Sequence, residues 1–214
     1  MKIAYQGIAG SYSESCAKEK YPDCETIACK TFDECFEKAN NDSSVKAIIP
    51  ESNKTTGNIG VEYLIFKYRL NIFAEHFFPI NHNLLGLPGS KVSDIKNVYS
   101  HAQALSQSSK FIKKNNFVEN VRADTAGSAK FVSENNDKTK GAIASSLSAE
   151  IYNLKILEKD IQDEKKNVTR FLMMGKNIYQ PELDGLKYIT SFLFKLKSKP
   201  AALYSALSGF AING

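Results

Sequence analysis

Lys2-Ile3-Ala4-Tyr5-Gln6-Gly7-Ile8-Ala9-Gly10-Ser11-Tyr12-Ser13-Glu14 opens the chain and shows its fold in miniature. Lys2–Tyr5 is a short apolar-rich run that reads as a strand. Gly7 and Gly10 frame a loop. Ser11 and Glu14 then form an S-x-x-E capping box, which starts a helix running to about Lys20. A strand, a glycine loop and a helix N-terminus together favour an anion, because free backbone N–H groups and the helix dipole point the same way. A tight turn with a capped helix is the plainer reading. The loop lacks both the phosphate-loop lysine pattern and G-x-G-x-x-G, so a nucleotide is not indicated.

The same alternation continues outward. Thr31–Ala39 reads as a helix, and Ala47-Ile48-Ile49-Pro50 as a buried strand ending at its proline. Leu70–Ala74, Asn83–Leu87 and Asn97–Tyr99 read as strands, and Gln103–Lys114 as one helix. Val121–Ala123, Gly141–Ala144 and Thr169–Met173 alternate with helices at Ala126–Glu134 and Leu147–Leu154. Strands alternating with short helices predict an α/β fold with largely parallel sheets. Pro181–Gly185 reads as a linker, followed by a strand at Tyr188–Leu196 and a helix from Ala201 to Phe210.

Composition narrows the function. The chain has 214 residues, with 28 Lys plus Arg against 23 Asp plus Glu, a formal net charge of +5. Only Arg69, Arg122 and Arg170 are arginines, and the lysines are scattered among acids, so no nucleic-acid stripe forms. No apolar run approaches the roughly 18 residues of a membrane span, and the start turns polar too soon for a signal peptide. The four cysteines (Cys16, Cys24, Cys29, Cys35) show no C-x-x-C spacing and read as reduced, packed thiols of a cytoplasmic protein. His76, His82 and His101 have no metal-ligand spacing, so a dedicated zinc site is not expected.

Three further segments carry polar groups at strand ends. Ser100-His101-Ala102-Gln103 places Ser100 as an N-cap with Gln103 completing a capping box, and His101 alone is weak evidence for acid–base work. Asp124-Thr125-Ala126-Gly127-Ser128 is another strand-to-helix corner, with Asp124 or Thr125 as the cap. Asn167-Val168-Thr169-Arg170-Phe171 puts a scarce arginine beside a hydroxyl, either as a carboxylate partner or in a structural salt bridge. Strand alternation sets Thr169 and Arg170 on opposite faces.

In order and spacing these segments resemble the prephenate dehydratase family, which includes arogenate dehydratases. The opening segment is similar to the family's G-x-x-G-x-[FY]-S-E. Ser100-His101-Ala102-Gln103-Ala104-Leu105 is similar to S-H-P-Q-A-L with Ala102 for proline, and Asn167–Phe171 is similar to N-x-T-R-F. One segment departs: where the family reads P-[IV]-E-N-S-x-x-G, this chain has Pro50-Glu51-Ser52-Asn53-Lys54-Thr55-Thr56-Gly57. Ser52 and Lys54 thus stand where the family has Glu and Ser.

The resemblance implies a two-lobed α/β catalytic domain over 1–180, like a type II periplasmic binding protein, with the site in the cleft. Lobe one would be about 1–78 plus 166–180 and lobe two about 79–165. Residues 186–214 would begin an ACT-like βα unit, leaving a phenylalanine effector site incomplete. The implied activity turns prephenate into phenylpyruvate by loss of CO2 and hydroxide, a reaction driven by aromatisation that implies no metal and no organic cofactor. Thr169 would serve the leaving hydroxyl, with Asn53, Ser100, Gln103, Thr125, Arg170, Ser11 and Gly10 as substrate contacts. His101, Phe171 and Lys54 are further candidates, Lys54 at the pyruvyl end. The partners expected are a small-molecule substrate and a second copy of the chain, with no nucleic acid or membrane. Alternatives are an arogenate dehydratase and a non-catalytic small-molecule-binding module on the same scaffold.

Overall fold

A computed structural model describes residues 1–178, 190 and 194–213. The chain divides into two units, Met1–Tyr179 and Gln180–Gly214. In the first, lobe one begins with β1 (Lys2–Gln6), β2 (Glu25–Cys29), β3 (Val45–Asn53), β4 (Gly57–Asn58) and β5 (Asn71–Pro79). The chain then crosses into lobe two as β6 (Asn83–Gly86), β7 (Asn97–Ser100), β8 (Val118–Val121), β9 (Lys140–Ala144) and β10 (Lys155–Glu158). It returns to lobe one as β11 (Val168–Gly175), inserted between β3 and β5. The sheet orders are β2-β1-β3-β11-β5, with β4 on β3, and β10-β6-β9-β7-β8.

The strands nearest the crossing points run antiparallel. β1 pairs in parallel with β2 and β3, and β7 with β8 and β9. β11 is antiparallel to both its neighbours, and β6 to β9 and β10. The sheets are therefore mixed, not largely parallel. A strand that comes back from another lobe beside the strand that left needs no crossover helix and so runs the opposite way.

Helices cover both faces. In lobe one, α1 (Tyr12–Lys20) packs on Ile3, Tyr5, Ile48, Phe171 and Met173. On the opposite face α2 (Phe32–Asn41) and α3 (Glu62–Tyr68) pack on Ala4, Ile49, Leu172 and Met174. In lobe two, α4 (Ala102–Gln107) and α5 (Ser109–Lys114) cover Leu84, Val98 and Ile143, and α6 (Thr125–Asn135) with α7 (Ser146–Ile151) covers Leu85, Ala142 and Ala144.

Several expectations are corrected. β3 runs through Pro50 to Asn53, because a bulge lets a residue without an N–H sit in the ladder. The helix expected over Gln103–Lys114 breaks at Ser108, whose backbone (φ −116°) leaves helical geometry. β2 and β10 were not anticipated. The linker expected at Pro181–Gly185 lies outside the described residues, as does most of the Tyr188–Leu196 strand, and Phe194–Leu196 are not in a strand. The second unit contains α8 (Ala202–Asn213).

Candidate functional site

The upper ends of β3 and β11 bring Asn53 beside Thr169. Asn53 Nδ2 donates to Thr169 Oγ1 at 2.8 Å and to Asn167 Oδ1 at 2.9 Å. Asn53 Oδ1 accepts from Thr55 N at 3.0 Å and Thr55 Oγ1 at 2.6 Å, closing a turn that fixes the amide. Asn53 and Thr169 are 7% and 6% exposed. Thr169 thus accepts a hydrogen bond, and its own hydroxyl hydrogen goes to no protein group among the described residues. An N–H donated to Oγ1 also makes that hydroxyl a better donor, since the pair polarise one another.

Lobe two meets this pair through α4. Gln107 Nε2 donates to Thr55 Oγ1 at 2.5 Å, and Gln107 Oε1 accepts from Asn167 Nδ2 at 3.0 Å. One helical turn earlier, Gln103 Nε2 donates to Thr56 Oγ1 at 3.0 Å. Gln107 Oε1 also lies 2.8 Å from Nε2 of buried His82, whose Nδ1 is 2.7 Å from the Tyr12 hydroxyl. With Oε1 facing it, Nε2 carries the ring proton, and the one Tyr12 hydroxyl hydrogen is shared between His82 Nδ1 and Asn81 O at 2.9 Å. Burial holds the His82 pKa below its ordinary value, against the opposing pull of the Gln107 hydrogen bond. A continuous polar chain therefore runs Thr169–Asn53–Asn167–Gln107–His82–Tyr12, crossing between lobes twice.

The other expected site residues fall into different roles. Glu14 does not complete the reciprocal arm of a capping box on Ser11. Ser11 Oγ caps α1 through Glu14 N at 3.3 Å, but the Glu14 carboxylate takes Gly10 N at 2.7 Å. Burial opposes Glu14 ionisation, yet Gly10, Lys18 and Thr26 outweigh it and hold the pKa below normal. The Glu14 carboxylate thus takes the Gly10 N–H at the expected anion corner and Ser11 N donates to Ile8 O, while the half-buried Ser11 hydroxyl keeps its own hydrogen among the described residues. Gly10 sits at φ +90°, and a Cβ would fall 2.6 Å from Ser148 Oγ, so the loop needs glycine for its close approach to lobe two. Gly10 O accepts from Ser145 Oγ and Ser148 Oγ.

Ser100 is not the N-cap of α4. It is fully buried and donates to Ile143 O at 2.6 Å, pinning the strand. His101 caps instead, its Nδ1 accepting from Gln103 N at 3.3 Å, and its side chain is exposed. Thr125 is the half-buried first residue of α6, with Asp124 as the cap. Phe171 is 2% exposed in the core and meets Phe78 edge-on, which removes it from substrate contact. Lys54 is exposed, with its N–H bonded to Val168 O at 2.9 Å. Arg170 faces away from Thr169 and pairs with Glu75 at 2.7 Å and Glu51 at 3.3 Å, so its charge is already answered within the sheet.

Asn167, Gln107, His82 and Tyr12 were not among the expected site residues. The signal for Gln107 was its position four residues after Gln103, on the same helix face. What converges at the strand ends is a set of neutral amides and hydroxyls. Such a set can orient a polar ligand and give one hydrogen bond to a leaving oxygen, without a fixed cation that would hold a reacting carboxylate.

A prephenate dehydratase family model matches residues 3–178. The chain is 41% identical over its whole length to arogenate dehydratase/prephenate dehydratase 1, chloroplastic, of Arabidopsis thaliana, of which it covers 54%. It spans about half the length of the curated relatives it matches. Among solved structures, GqqA, described as a novel type of quorum-quenching acylase, aligns with a TM-score of 0.84 at 29% identity, over 99% of this chain and 77% of that one. The prephenate dehydratase of Arthrobacter aurescens, in complex with L-Phe, aligns with a TM-score of 0.85 at 24% identity, over 99% and 72%. A family match across both sheets and the strand that returns between them leaves one conclusion: the chain belongs to the prephenate dehydratase family.

Proposed function

We propose that this chain carries the catalytic domain of a dehydratase that converts prephenate to phenylpyruvate. The observation that supports this most is Thr169, a buried hydroxyl that accepts from Asn53 and keeps its own hydrogen for a ligand. Prephenate loses its ring carboxylate as CO2, and the C–C bonding pair completes the aromatic ring. The ring C–O bond breaks, and hydroxide leaves as water by taking one proton. Thr169 donates a hydrogen bond to that oxygen, and solvent supplies the net proton, because a threonine hydroxyl is too weak an acid to give it up outright. Asn53 holds the Thr169 hydroxyl in place, and the amides and hydroxyls bonded around it are neutral, so they bring no fixed charge to hold the departing carboxylate.

A second reading is arogenate as substrate, giving phenylalanine directly; it is favoured by the Arabidopsis relative, whose name carries both activities. The full chain is to be incubated with each substrate near neutral pH, with an enzyme-free blank and a Thr169→Ala control. Phenylpyruvate or phenylalanine formed by the parent chain and abolished in the variant supports the reading, and the product ratio assigns the substrate. Folded protein that binds either substrate but turns over neither overturns it in favour of a binding module. The proposal includes a reducing compartment, which suits four free cysteines, and a homodimer, for which light scattering should give twice 23.8 kDa.

A further inference from the structure

The contact between Asn53 and Thr169 depends on an irregularity three residues wide. Along β3, Ala47 to Pro50 face Met174 to Phe171 one for one, and Ser52 and Asn53 face Arg170 and Thr169. Glu51 has no partner in this register: it is the extra residue of a β-bulge. Strand side chains alternate, so the extra residue decides a face. Ile49 lies with Leu172 on the α2 and α3 side of the sheet. Unbroken alternation from Ile49 would place Asn53 on that side as well, away from Thr169. With Glu51 inserted, Asn53 joins Ile48, Phe171 and Thr169 on the α1 side.

The bulge is held on two sides: Ile59 N donates to Glu51 O at 2.9 Å from beyond β4, and Arg170 holds the Glu51 side chain. Arg170 Nε donates to Glu75 Oε2 on β5 at 2.7 Å, and Arg170 Nη1 donates to Glu51 Oε2 at 3.3 Å. Ser52 Oγ donates to the same Glu51 oxygen at 2.6 Å. Arg170, Glu51 and Glu75 are each about a quarter exposed, with side-chain values of 25%, 20% and 27%. We propose that Arg170, clamped between Glu51 and Glu75 across three strands, is a positioning residue that fixes the Glu51 bulge and so sets Asn53 against Thr169. A planar guanidinium can reach both carboxylates at once, which an ammonium on a single-point stem cannot do in the same way. Arg170 then acts on the reaction through Asn53, with no contact to the substrate.

The inference rests on the dehydratase reading for its kinetic test, so a second readout is independent of turnover. Arg170→Met and Glu51→Gln are to be made in the parent chain and in Asn53→Ala. For Arg170→Met, kcat should fall about 10–100-fold with KM nearly unchanged, as expected when a reacting group is displaced by about 1 Å. In the Asn53→Ala background the same change should cost less than about threefold more, because both act through one contact. Glu51→Gln, which keeps the side-chain shape, should show the same non-additivity at smaller size. Additive losses overturn the proposal, as does a rise in KM at constant kcat, which would make Arg170 a substrate ligand. NMR of the Asn53 side-chain amide, assigned through Asn53→Asp, decides the case even if no substrate is turned over. Both Nδ2 hydrogens are bonded in the parent and should exchange slowly there and rapidly in Arg170→Met. Equal protection in the two overturns the proposal, whereas absent turnover in the parent overturns only the dehydratase reading.

Discussion

The glycine corner at Gly10–Glu14 and the strand end at Asn53–Thr169 are made of similar materials: a hydroxyl, a carboxylate or amide, and a backbone turn. They differ in how their hydrogen bonds close. At the corner the buried Glu14 carboxylate gathers Gly10, Thr26 and Lys18, and Ser11 keeps its hydroxyl hydrogen at a half-exposed position where solvent takes it. At the strand end Asn53 is fully used, yet Thr169 keeps one donor. A buried carboxylate answered by several donors stabilises the fold, and a buried hydroxyl that keeps its hydrogen is able to meet a ligand. Motif recognition sees both alike, because the difference lies in the partners.

Thr169 should show the largest contrast. Thr169→Val keeps the shape, removes the hydroxyl and leaves an Asn53 N–H unmet. Its kcat should drop by about 10²–10⁴, the range for a lost proton-transfer or hydrogen-bonding group, whereas Thr169→Ser should retain most activity. Next comes the corner: Glu14→Gln should cost about 2 kcal/mol of unfolding free energy in urea, with kcat little changed in the folded protein. Because the Glu14 pKa is lowered from 4.5, its contribution is present above that value and lost as pH falls through the folded pKa. The gap between parent and variant should therefore narrow on acidification below about pH 4.5. His82, lowered from 6.5 by burial, follows the same sign in a higher window. The parent should lose stability as pH falls below 6.5 toward the folded pKa, and His82→Asn should flatten that part of the Tm profile. Lys54→Ser should do least: the side chain is exposed, so stability should change by less than about 0.5 kcal/mol. A large change in KM there would place Lys54 in the cleft and blur the contrast between the two regions.

Much of this fold was readable because strand and helix starts are written locally. Ser11, Thr31, Asp124 and Ser145 each cap the helix that follows. β2 escaped because Glu25-Thr26-Ile27-Ala28-Cys29 is short and lacks an apolar–polar alternation. The antiparallel return of β11 escaped because strand direction depends on where distant strands meet. At the site, Thr169 and Asn53 were legible as motif positions. The bulge that makes them neighbours was not, since one extra residue in a ladder is visible only against its partner strand. For Arg170 the sequence leaves a substrate contact and a structural salt bridge both open, and the side chain makes the salt bridge, with Glu51 and Glu75.

The place of β11 between β3 and β5 also sets an order of assembly. On the ribosome, every strand of the lobe-two sheet, Asn83 to Glu158, is made before β11. The lobe-one sheet has a gap in its middle until residues 168–175 emerge. Lobe two can condense as a unit while lobe one waits for the chain to come back. Thr169 lies in that last strand, so the closing of the sheet and the arrival of its buried hydroxyl beside Asn53 are a single event in the life of the chain.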